Sequence, residues 1–183
     1  MRIIAGTARR LPLKTVPGME TRPTTDRIKE TLFNILQDDV PGCYFLDLFA
    51  GSGQIGLEAV SRGARYAVFV DNGKKAVACI EDNIKFTKFE KETKVYPSDV
   101  LSALRAMEGK YQFDIIFMDP PYNKEIERDV LTYLENSSLL KEDTLIIVEA
   151  ALDTDFSYLD DGAFELVRVK TYKTNEHAFI RKR

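Results

Sequence analysis

The chain has 183 residues, 44% of them hydrophobic and 30% charged, which is the composition of a soluble protein able to fill a single core. It contains no apolar run approaching a membrane span or a signal peptide, so a cytoplasmic protein with no membrane partner is predicted. The net charge of −3 is unevenly spread: residues 1–37 carry seven Lys/Arg against three Asp/Glu, residues 165–183 six against two, and the acidic remainder 13 against 24. Basic ends on an acidic body suit a local phosphate-binding face better than general affinity for DNA.

Residues 1–18 are basic and punctuated by Gly6, Pro12, Pro17 and Gly18, which predicts short strands or an ordered arm. From Thr25 the pattern turns helical, with Ile28, Leu32, Ile35 and Leu36 on one face, and Pro41-Gly42 ends it. Strands and helices then alternate. Strands are predicted at Tyr44–Leu48, Tyr66–Val70, Thr93–Tyr96, Phe113–Met118 and Thr144–Glu149. Between them lie helices at Gln54–Ser61, Lys74–Phe86 (Val77, Ile80 and Ile84 inward), Val100–Met107 and Ile126–Leu134. The tail reads as two strands, Phe164–Tyr172 and Ala178–Arg181, about a Lys173-Thr174-Asn175 turn. Repeated βα units ending in a hairpin predict an α/β fold. The sheet would be seven-stranded and mostly parallel, with helices on both faces and an antiparallel C-terminal hairpin. The chain is read as one domain, 1–183, made of an N-terminal arm and helix (1–40) and a catalytic core (41–183).

Chemistry concentrates at the carboxyl ends of the strands, where open α/β sheets bind ligands. Gly51-Ser52-Gly53-Gln54-Ile55-Gly56 is a formal G-x-G-x-x-G between a strand and a helix, and Asp71 ends the next strand. That pattern also fits a nicotinamide-dependent oxidoreductase. Asp47 argues otherwise, because a carboxylate at the first strand end repels a pyrophosphate and favours a cationic ligand such as S-adenosylmethionine. The glycines let the backbone approach that ligand closely. Asp71 suits a pair of ribose hydroxyls. Asp99 either accepts from an adenine amine or caps the helix that follows it. Phe49, Ala50, Asn72 and Val100 adjoin these residues and complete the candidate cofactor-binding set with Asp47, Gly51, Gly53, Asp71 and Asp99.

Asp119-Pro120-Pro121-Tyr122 follows the fourth strand directly. Prolines lack the backbone N–H and hold the chain extended, so a carboxylate, fixed carbonyls and an aromatic face emerge together. Such a cluster grips a flat group bearing an NH2, and a nucleobase amine fits. Asp119, Pro120, Pro121 and Tyr122 are therefore the candidate catalytic residues. Cys43 and Cys79 are read as reduced core residues, and with His177 as the only histidine no metal site is expected. Arg2, Arg9, Arg10 and Lys14 are the candidate RNA contacts.

Leu46–Gly56, Asp71, Asp99 and Asp119–Tyr122 together resemble the ordered motifs of the Rossmann-like class I S-adenosylmethionine-dependent methyltransferases. More narrowly, residues 1–6, Thr21–Arg27 and Glu30–Asn34 resemble the bacterial 16S rRNA (guanine-966-N2)-methyltransferases. The resemblance implies methyl transfer from S-adenosylmethionine to a guanine N2 amine, with 16S rRNA in an assembled or assembling 30S subunit as partner. It also implies that Arg22 and Thr24 help close the cofactor site. An adenine-N6 methyltransferase would use the same tetrapeptide. The chain departs from the family at Tyr172-Lys173-Thr174, where a glycine is expected after the tyrosine.

Overall fold

The structure is a computed structural model that describes residues 1–18 and 25–183. Five α-helices are described: α1 (Asp26–Ile35), α2 (Gln54–Ser61), α3 (Lys74–Thr87), α4 (Val100–Met107) and α5 (Ile126–Leu134). Seven strands accompany them: β1 (Tyr44–Leu48), β2 (Tyr66–Val70), β3 (Thr93–Tyr96), β4 (Phe113–Met118), β5 (Leu140–Ala151), β6 (Phe164–Thr171) and β7 (Asn175–Lys182). They form one sheet in the order β3-β2-β1-β4-β5-β7-β6. β1 to β5 run parallel, and β7 lies antiparallel to both β5 and β6. This is the Rossmann-like class I architecture, and the strand order reverses between β1 and β4, where a ligand crevice opens.

The central strands are apolar on both faces because both are covered. Phe45, Phe69, Ile115, Phe117 and Ile147 point to one layer, with Leu32 and Phe33 of α1, Leu57 of α2 and Ile80 of α3. Leu46, Val68, Ile116 and Ile146 point to the other, with Leu104 of α4 and Leu131 of α5. On α3 the buried stripe is Ala76-Cys79-Ile80-Asn83-Ile84-Thr87. Val77, expected inward, is only half-buried, since the helix turns its small residues toward the arm. Cys43 and Cys79 are buried free thiols, and burial pushes the Cys43 thiol up to about 12.

Residues 1–16 form an ordered arm rather than regular strands, with one isolated antiparallel bridge between Arg2 and Pro12. Ile3, Ala8 and Leu13 sink into the first layer. Gly6 has φ +84°, and a Cβ there would meet the Ser61 carbonyl oxygen at 1.8 Å, so only glycine lets the arm lie this close to α2. Beneath it Glu58, fully buried, accepts the amides of Ile4 and Ala5 at 2.9 and 3.1 Å and pairs with Arg62 at 2.8 Å and Lys29 at 3.6 Å. Desolvation lowers the Lys29 pKa, opposed by Glu58. A buried ion pair of this kind fixes position more than it adds stability.

β5 and β7 differ from expectation at their starts, whereas β6 begins at Phe164 as expected. β5 begins at Leu140 because Thr144 repairs an irregular register, its hydroxyl donating to the Phe113 carbonyl and accepting the Lys141 amide. β7 begins at Asn175 although Asn175, Glu176 and His177 are polar, because Asn175 and His177 pair with Glu149 of β5. The hairpin turn closes through a bond from the Tyr172 amide to the Asn175 carbonyl at 2.8 Å. No residue of the turn has positive φ, so the missing glycine costs nothing.

Candidate active site

A cavity of about 760 Å³ opens at the carboxyl edge of β1, β2, β4 and β5. Asp47, Phe49, Ala50, Gly51, Asp71, Asn72, Asp99 and Val100 line it, as do all four residues of Asp119–Tyr122. Residues predicted at successive strand ends thus share one chamber, of a size usual for a small-molecule site.

Asp47 is 1% exposed, and its Oδ2 accepts the Gly56 amide at 2.9 Å. Desolvation raises its pKa well above the ordinary carboxylate value, opposed by that bond and reinforced by the carboxylates of Asp119 and Asp71. Its ionised form is therefore poised to be rescued by a cation. Asp71 spans two loops: Oδ2 accepts the Gly51 amide at 2.9 Å and Oδ1 the Gly73 amide at 2.8 Å. Each oxygen retains a second lone pair for a hydroxyl donor. Asp99 is the N-cap of α4, with Oδ1 accepting the Ser102 amide at 2.9 Å, yet it also lines the cavity. Capping the helix thus does not remove it from the cavity wall. Its pKa is lowered by the Ser102 hydroxyl and amide.

Gly51 and Gly53 have φ of +58° and +79°. Gly53 is not among the cavity-lining residues; a Cβ there would press on Phe69 and Ile80 at 3.3–3.4 Å. The third glycine, Gly56, is needed for packing, since its Cβ would meet Phe69 at 2.4 Å. Arg22 and Thr24 lie outside the described residues, but Thr15 and Val16, a few positions earlier, line the cavity with Met1. Of the predicted RNA contacts, Arg2 pairs with Asp26 and Lys14 with Asp82, both at 2.9 Å on the surface. Arg9 and Arg10 are exposed.

Gln54 and Glu149 also line the cavity and were not expected as site residues. Gln54 is 8% exposed, and its Oε1 is buried without a hydrogen-bond partner among the described residues. An orphaned acceptor facing a cavity is expected where a ligand supplies the missing donor. Glu149, near the end of β5, is 6% exposed and accepts from Asn175 at 2.8 Å and from the Tyr122 hydroxyl at 3.4 Å. Its signal was present: like Asp47, Asp71 and Asp119, it is an acid closing an apolar strand.

The family of conserved hypothetical protein 95 matches residues 1–181. The chain is 37% identical to the Bacillus subtilis protein named "Putative rRNA methyltransferase YlbH", over the full length of both. It is 36% identical to ribosomal RNA small subunit methyltransferase D of Escherichia coli, covering 84% of this chain and 76% of that one. The solved structure titled "Putative methyltransferase yhhF from Escherichia coli" superposes with a TM-score of 0.84 at 31% identity, over 100% of this chain and 97% of that one. The chain belongs to the conserved hypothetical protein 95 family, the family shared with the bacterial small-subunit ribosomal RNA methyltransferases D.

Proposed function

We propose that this protein is a ribosomal RNA methyltransferase that uses S-adenosylmethionine to methylate the N2 amine of a guanine in 16S rRNA, with the 30S subunit as its substrate particle. The observation that carries the reading is that Asp119-Pro120-Pro121-Tyr122 opens into the same cavity as Asp47, Gly51, Asp71 and Asp99. The relatives' names support ribosomal RNA as the substrate.

The residues present fit the donor. Asp47 offers a buried carboxylate for a positive group, Gln54 Oε1 an orphaned acceptor, and Asp71 and Asp99 acceptors for hydroxyl and amine hydrogens. When bound, S-adenosylmethionine supplies an electrophilic methyl on a positively charged sulfur.

The guanine amine is a poor nucleophile because its lone pair is delocalised into the ring. Asp119 and the Pro120 carbonyl accept its two hydrogens, which favours a pyramidal nitrogen with a localised pair. Asp119 also stabilises the charge that develops on that nitrogen and takes up the proton. Tyr122 stacks on a base extruded from its helix and holds it in line, and positioning supplies much of the rate.

The test is methylation of assembled 30S particles, protein-free 16S rRNA and duplex DNA, with the product mapped by mass spectrometry. A single N2-methylguanine in 16S rRNA is expected. Equal or better activity on DNA, with N6-methyladenine as product, would overturn the assignment.

A further inference from the structure

The cavity has two sides. Asp47, Gly51, Asp71 and Asp99 lie toward β1, β2 and β3, so the base must approach from the β4–β5 side. The carboxylate buried there is Glu149. β4 and β5 pair with Met118 beside Val148, and the residues that follow these two, Asp119 and Glu149, both line the cavity. Phe117 and Ile147 face the same layer, so by strand alternation Asp119 and Glu149 also share a face. Parallel strands lie about 4.8 Å apart, so these carboxyl groups are neighbours along the cavity wall.

Glu149 is held from behind. Oε1 accepts from Asn175 Nδ2 at 2.8 Å and the Tyr122 hydroxyl at 3.4 Å, and Oε2 contacts His177 Nε2 at 3.3 Å. His177 is fully buried, edge-on to Phe117, and its Nδ1 lies 3.2 Å from the Tyr172 hydroxyl. With Nε2 protonated and Nδ1 accepting, every member of this network is satisfied. Three donors on a carboxylate with about four acceptor positions leave room for one more at Oε2. Three side chains, two from β7 and one from the loop after β4, fix the orientation of this acid.

Resting on the functional reading above, we infer that Glu149 is the specificity-determining residue that reads the Watson–Crick edge of the target base. In guanine the N2 amine adjoins the N1–H donor. With the amine at Asp119, N1–H meets the next acceptor along the wall, Glu149. In adenine the amine adjoins N1 as a bare lone pair, which an ionised carboxylate repels. The bond from Tyr122 ties the stacking ring to this acceptor, so stacking and edge reading are set together.

The discriminating probe is 2-aminopurine, which keeps the 2-amine but carries a lone pair at N1. The target position is mapped first, and 16S rRNA ligated to carry guanine or 2-aminopurine there is assembled into 30S particles. Wild type is expected to favour guanine roughly 10- to 100-fold, the scale of a base-edge contact. Glu149→Gln, whose amide can donate to N1, is expected to bring the two rates within about threefold. Glu149→Asp, which keeps the acceptor, should be slower on both while still favouring guanine. Melting curves and S-adenosylhomocysteine calorimetry on each variant report folding separately from selectivity. An unchanged guanine preference in Glu149→Gln, with both rates lowered alike, would reduce Glu149 to a structural residue and overturn the inference. If wild type methylates neither RNA, the functional reading falls as well, and the wild-type arm alone shows it.

Discussion

Asp47 Oδ2 accepts the Gly56 amide at 2.9 Å, so the strand that opens the cavity and the helix that walls it are joined through a carboxyl group that water scarcely reaches. Backbone attachment fixes the carboxyl's place, while desolvation disfavours its charge.

That conflict predicts opposite effects of Asp47→Asn on stability and binding. The folded pKa of Asp47 lies well above the ordinary value of 3.8, so the native state holds the proton longer. Stability of the ligand-free protein is then highest below about pH 4 for this group and falls as pH rises through the folded pKa. The asparagine amide escapes that loss and can still accept the Gly56 N–H, so the ligand-free variant should melt higher at neutral pH. Its S-adenosylhomocysteine affinity should drop by about 1–3 kcal/mol, the scale of a charge-assisted hydrogen bond. Calorimetry across a pH series in buffers of different ionisation enthalpy should show more proton release with wild type than with the variant at the acidic end, where the raised pKa keeps Asp47 protonated before binding.

Asp71→Ala should cost stability as well as affinity. The carboxylate holds the amides of Gly51 and Gly73 together, and removing it strands two partly buried donors. Losses of about 1–3 kcal/mol are typical for such groups. Asp71→Asn should recover part of the stability and little of the binding, as read by denaturant melts beside calorimetry.

For catalysis, Asp119→Ala should lower kcat by roughly 100-fold or more while S-adenosylhomocysteine affinity changes little, since its partner is the target amine. Tyr122→Ala should damage base positioning further than Tyr122→Phe. The Phe variant keeps the stacking face but forfeits the bond to Glu149, so its defect should be larger than stacking alone implies. Single-turnover rates on 30S particles check both.

RNA binding should depend on Arg9 and Arg10 more than on Arg2 and Lys14, which already pair with Asp26 and Asp82. Neutralising Arg9 and Arg10 together should flatten the slope of log affinity against log salt by roughly 1–2 and spare cofactor binding. An unchanged slope would move the phosphate contacts elsewhere.

Much of this fold was legible because β1 to β4 and the helices between them are bounded by residues that state their roles locally. Gly51 and Gly53 mark the turn after β1, and Asp99 marks the start of α4. Boundaries failed where a long-range partner decided them. Asn175 and His177 do not look like strand residues until Glu149 stands across from them. Lys29 sits on the buried face of α1 only because Glu58 waits beneath it, a partner on another helix that no periodicity records. That Asp47, Asp71 and Asp119 share one cavity was readable for the same reason as the strands: each acid closes its own apolar run. Gln54 was not, because an orphaned acceptor is a property of surroundings rather than of sequence.

The close approach at Gly6 gives the cavity a remote control point. The arm that passes over Ser61 also contributes Met1, Thr15 and Val16 to the cavity wall. A single methyl group added by Gly6→Ala cannot be accommodated against the Ser61 carbonyl, and the strained φ removes the alternative of a local adjustment. The arm would have to lift, and the wall would lift with it. Ligand affinity should therefore register a change at a position that touches no ligand, so that screening for cofactor binding would recover arm mutations alongside those of the pocket itself.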